Sequence, residues 1–132
     1  MNEVTMKIAE EDIHCFKVVS EKDGKYVDVF RGDDNEYELG KTYNDKMENG
    51  FRSFKGKLKD IEYRTIEGHK HKPTVPLFVT EEGCEHFQAA PKGSLVIDCT
   101  VPKGSRYFEN WSHQLISDTI KVTGISKLMV LN

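Results

Sequence analysis

The stretch Leu95-Val-Ile-Asp-Cys-Thr-Val-Pro-Lys-Gly-Ser-Arg-Tyr-Phe108 constrains the fold more than any other part of the chain. Leu95, Ile97, Cys99 and Val101 alternate with Val96, Asp98 and Thr100, the period-2 pattern of a strand with one buried face. Pro102-Lys-Gly104 ends it, because proline donates no ladder hydrogen bond and glycine accepts a positive φ. The pattern predicts a central strand running into a tight turn.

A chain of 132 residues with 37% hydrophobic and 31% charged side chains carries enough apolar material for one packed core and too little for two. The net charge of −3 is spread over 22 acidic and 19 basic residues without long single-sign blocks, which argues against a general nucleic-acid or membrane footprint. No leader-like apolar segment opens the chain and no stretch is long enough to span a bilayer, so a soluble cytoplasmic protein is expected. Cys15, Cys84 and Cys99 are odd in number and scattered, which fits reduced thiols better than a disulfide framework.

Residues 1–12 read as a polar lead-in and 13–132 as a single domain. Ile13 to Val19 and Tyr26 to Arg31 flank Asp23-Gly24 and predict a β-hairpin. Glu36 to Tyr43 reads as a short strand, or two pinched at Gly40, and Phe51-Arg-Ser-Phe54 as a strand-like piece whose aromatics, three apart, leave the period open. Leu58, Ile61, Thr65 and Ile66 suit a helical stripe between Gly56 and Gly68. Thr80-Glu-Glu reads as the capped start of a second helix that would turn Cys84 and Phe87 inward and close at Gln88 to Pro91. Tyr107 to His113 reads as an aromatic and polar loop, followed by strands at Thr119 to Ile125 and Lys127 to Leu131. The predicted architecture is therefore α+β: a mostly antiparallel sheet of six or seven strands with one or two short helices inserted mid-chain. Its expected core is Phe16, Val18, Val27, Val29, Leu95, Ile97, Cys99, Val101, Ile120 and Val122.

Among chemistry-bearing groups, His69-Lys-His71 with Cys84-Glu-His86 offers imidazole and thiolate ligands for a metal, and the plainer reading is a solvated His/Lys loop beside one buried cysteine. Lys55, Lys57, Lys59, His69, Lys70, His71 and Lys72 form a basic segment that Phe51 and Phe54 would flank as stacking platforms for a phosphate-bearing ligand. Asp60, Glu62 and Glu67 interrupt it as an ordinary mixed surface would. Cys84 with His86 or His113 as base carries no local nucleophile signature, and no glycine-rich phosphate loop is present.

Tyr37 to Tyr43, Gly50 to Phe54, Val101 to Tyr107 and Ser117 to Ile120 resemble landmarks of small uncharacterised proteins of gut-type bacteria and their phages. That resemblance covers about residues 13–125 and implies a β-rich domain without an assigned activity. The order of elements is also similar to ADP-ribosyltransferases of the Arg-Ser-Glu class. This likeness implies Arg31 in Val29-Phe-Arg31-Gly32 as the NAD-binding arginine and Ser53 as the motif serine. Asp118, in Ser117-Asp118-Thr119, stands where that class has the glutamate of Glu-x-Glu or Gln-x-Glu. The functional expectation is a non-catalytic binding or accessory protein of phage or bacterial origin, in contact with another protein or a second copy of itself. The enzyme alternative is an ADP-ribosyltransferase-like domain that binds or turns over NAD.

Overall fold

The computed structural model describes residues 5–28, 36–65, 74–87, 94–110 and 114–126, and within them the fold is built from strands. In chain order these are β1 (Lys7–Ile8), β2 (Ile13–Lys22), β3 (Lys25–Asp28), β4 (Thr42–Asn44), β5 (Phe51–Lys55), β6 (Leu58–Thr65), β7 (Thr74–Thr80), β8 (Glu85–Phe87), β9 (Ser94–Val101), β10 (Arg106–Glu109), β11 (Gln114–Ser117) and β12 (Thr119–Ser126). One short 3-10 turn, Met47–Asn49, is the only helical element among the described residues. The class is thus all-β, and the α+β expectation is corrected.

The described residues form two sheets, both antiparallel. The larger runs β1-β10-β11-β5-β2-β9-β12-β4, with β3 paired to β2; the smaller is β6-β7-β8. β2 and β3 pair as the sequence predicts: Lys22 faces Lys25 across a two-residue turn in which Asp23 (φ 53°) and Gly24 (φ 79°) are both left-handed. β9 lies between β2 and β12, and Ser105 N–H bonds Pro102 O at 3.1 Å in the turn that follows. It is buried on both faces, with only Asp98 exposed, so the expectation of a single buried face is also corrected.

The large sheet curls over one of its faces. β11 and β12 are joined through Asp118 alone, yet β5, β2 and β9 separate them in the sheet, so its two flanks must meet at this end. The seam is hydrogen-bonded: Asp118 N–H reaches Arg106 O at 3.1 Å, and Asp45 N–H reaches Asp118 O at 2.9 Å. The concave face holds the main core, with Val19, Tyr37, Tyr43, Phe51, Ile97, Val101, Leu115, Ile120 and Val122 among its members. The small sheet covers part of the convex face, where Phe16, Val18, Phe54, Phe78 and Val96 form a second core flanked by Leu58 and Ile61. No helix of the described residues is long and apolar enough to cross a membrane.

Within the described residues each predicted helix gives way to strand for an identifiable reason; residues 66–68 of the first and 88–91 of the second lie outside the described residues. In β6 the register slips between Leu58 and Asp60, a bulge that lets Leu58 and Ile61, three apart, flank the same core. A bulge therefore imitates helical spacing. Thr80 does cap, but it caps a hairpin: its Oγ1 accepts Cys84 N–H at 3.0 Å, its own N–H reaches Cys84 O at 2.9 Å, and Gly83 turns at φ 88°. Phe51 and Phe54 lie in opposite cores because odd spacing along a strand points to opposite faces. Residues 36–41 are not a strand; Leu39 and Gly40 (φ 84°) form a turn that delivers Tyr37 to Tyr43, ring centroids 5.1 Å apart. The expected loop at Tyr107 to His113 begins instead as β10. Of the expected core, Val27 is only half-buried, and Val29 and the strand at Lys127 to Leu131 lie outside the described residues.

Candidate functional site

Among the described residues, the side chains singled out in the sequence are not brought together. Arg31, His69 and His71 lie outside the described residues. Ser53 is on the concave face of β5 opposite Leu115, 2% exposed. Asp118 sits three residues further along at the seam, where its Oδ1 accepts Arg106 N–H and the Thr119 hydroxyl, each at 3.1 Å. A sealed serine and a carboxylate occupied by the backbone do not fit the NAD arrangement that the transferase likeness implies. Cys84 is exposed in the β7–β8 turn, whereas His86 is 4% exposed with its ring 4.7 Å from that of Phe54. No group of three or more His, Cys, Asp or Glu among the described residues is placed to hold a metal. Phe51 and Phe54 are buried and offer no stacking platform, and Lys55 Nζ is engaged by Glu109 at 3.1 Å.

Inside the curl is a polar cluster that the sequence reading missed as such. Cys15 and Cys99 are directly opposed across β2 and β9, both buried and both free thiols. Lys17, 2% exposed, donates from Nζ to Arg52 O at 2.6 Å and lies 5.3 Å from the centre of the Tyr37 ring. Ser53 Oγ makes no hydrogen bond of ordinary geometry and leans on the Cys15 thiol. Burial pushes the Cys15 thiol from its usual 9.0 up to about 11, against the opposing pull of Ser53 and the Lys17 ammonium. Burial also raises the Cys99 thiol well above its ordinary value, with Cys15 adding to the effect. A thiol with a pKa near 11 is ionised in only about one molecule in a thousand at pH 8. Ellman's reagent is therefore expected to titrate one thiol per chain, Cys84, in the folded protein and all three in denaturant. Rapid reaction of two or more in the native state would show that the cluster is open.

The described surface offers a different kind of site beside β1. A groove of about 950 Å³ runs along residues 6–14 and is closed by Lys55, Gly56, Glu82 and Tyr107. Gly56 (φ 104°) gives its N–H to His14 O at 2.8 Å, and a Cβ there would lie 2.7 Å from Glu82 Oε2, so the glycine lets this carboxylate sit at the groove wall. Met6 and Ile8 are 49% and 65% exposed. Leu39, on another part of the surface, is the third large exposed apolar side chain among the described residues. The alternation Met6-Lys7-Ile8 was the available signal for an edge strand, overshadowed by the acids that follow.

No protein-family model, curated protein or solved structure matches the chain.

Proposed function

We propose that this protein is a non-catalytic binding protein that acts by stoichiometric contact with another protein. One contrast carries the reading: the clustered nucleophilic and cationic groups Cys15, Lys17, Ser53 and Cys99 are buried in the core, while apolar Met6 and Ile8 stand in solvent beside a groove of about 950 Å³. A catalytic site needs its reacting groups where substrate can reach them. A contact surface needs exposed apolar side chains on a rigid support, and β1 is fixed to β10 by the Lys7–Tyr107 and Ile8–Arg106 pairs.

Two measurements test this. Lysine cross-linking with mass spectrometry in extracts of the source cells is expected to join Lys7 to one recurring protein, which then forms a fixed-ratio complex with the purified chain. Incubation with NAD is expected to leave the dinucleotide intact. Saturable NAD hydrolysis or transfer, abolished by Arg31→Ala, overturns the binding reading in favour of the transferase.

A further inference from the structure

The backbone of β1 is directional. Ala9 donates its N–H to Ser105 O and accepts Gly104 N–H at its carbonyl, both at 2.8 Å and both on the β10 side. Alternate residues of an antiparallel strand aim their polar groups to opposite sides, so Lys7 points inward with Ala9, and Ile8 directs its N–H and C=O away from the sheet. β1 is the terminal strand of the large sheet, and among the described residues nothing pairs with its outer edge. An unpaired donor and acceptor flanked by exposed apolar side chains is the template for strand addition.

The charge around this edge selects what can be added. Glu10, Glu11, Asp12 and Glu82 line the groove. Asp12 is engaged with Lys103 N–H at 2.8 Å, and Lys55 with Glu109 at 3.1 Å. Glu10, Glu11 and Glu82 are exposed and make no ion pair among the described residues. Lys7 also lines the groove, and the backbone hydrogen bond to Asp12 leaves its charge in place, so four carboxylates stand beside one ammonium that makes no ion pair among the described residues, and the uncompensated charge is negative.

We infer that the outer edge of β1 binds an extended segment of a partner protein as an added strand, with alternating apolar side chains against Met6 and Ile8 and basic side chains against Glu10, Glu11 and Glu82. This rests on the binding-protein reading and names the partner's chemistry. Backbone pairing through Ile8 supplies affinity without sequence demand, and the acids supply selectivity.

The probe is a short capped peptide alternating valine with lysine, compared with its glutamate counterpart, titrated into the full chain and followed by amide chemical shifts. The lysine peptide is expected to shift Ile8, Glu10 and their neighbours, and the glutamate peptide is expected to leave them in place. Ile8→Pro removes the outward N–H, which an edge strand tolerates, together with the exposed Ile8 side chain, and is expected to weaken the lysine peptide about tenfold or more, whereas Ile8→Ala, which keeps the N–H, is expected to weaken it less. The double variant Glu10→Lys, Glu11→Lys, altered only at exposed positions, is expected to lose selectivity between the two peptides. Equal binding of both peptides by the unaltered chain, absence of binding, or undiminished binding by Ile8→Pro overturns the inference. A concentration-dependent dimer dissociated by Ile8→Pro also overturns it, assigning the edge to a second copy. None of these outcomes produces NAD turnover, the result that would overturn the underlying reading.

Discussion

Phe16→Ala is expected to lower the unfolding free energy by about 3–5 kcal/mol, the range for truncating a fully buried phenylalanine. Phe16 is completely buried on the convex face of β2, and its ring centroid lies 5.3 Å from Phe54, 6.1 Å from Phe78 and 6.2 Å from His86. Phe54 belongs to the large sheet and Phe78 and His86 to the small one, so this ring joins the two. Its loss removes the transfer free energy of the side chain and opens a cavity that two hydrogen-bonded sheets cannot collapse to fill. Urea unfolding followed by circular dichroism measures the effect. Phe16→Leu, which keeps most of the volume, should cost markedly less. A loss below about 1 kcal/mol for the alanine variant would show that the sheets are not packed through this ring.

The second large effect is alkaline destabilisation. The folded-state pKa of Cys15, about 11, exceeds the 9.0 of an unperturbed thiol. A raised pKa stabilises the folded state below the unfolded value, and that stability is lost as pH rises through the folded one. The window is therefore about pH 9 to 11. Two units correspond to roughly 3 kcal/mol for this one group. Cys99 shifts in the same direction for the same reason and steepens the fall. Stability measured by urea titration from pH 8 to 11 should decline over this window, and Cys15→Ala should flatten the curve. A pH-independent midpoint would mean that the thiols are hydrated.

What could be read from the sequence depended on whether local chemistry had one structural meaning. Asp23-Gly24 did, because two consecutive left-handed residues are what a two-residue hairpin requires. The turn at Pro102 to Gly104 and the alternation of Ile120 and Val122 were similarly unambiguous. Thr80 had two meanings, since a hydroxyl that satisfies helix donors satisfies hairpin donors equally well. Leu58 and Ile61 failed differently: strand periodicity is lost across a bulge, and only the partner strand reveals the slip. The site was less legible still. Ser53 has the residue type of a catalytic group and the burial of a core one, and sequence does not separate the two without the curl that encloses it. Lys17 shares a face with Cys15 and Val19 and would be solvated in an open sheet, yet the curl turns that face inward.

The pairing of β2 with β9 sets a condition on synthesis. Ser20 meets Ser94, 74 residues further along the chain, and Ile13 meets Val101, 88 residues further along. β2 therefore leaves the ribosome long before its central neighbour exists, with an open hydrogen-bonding edge and the apolar side chains of both cores uncovered. Such long loop closures make folding slow relative to the hairpins that form locally. Until β9 arrives, the nascent chain is a candidate client for holding chaperones, and a message truncated before the Ser94 codon would yield a fragment prone to aggregate instead of a smaller version of the fold.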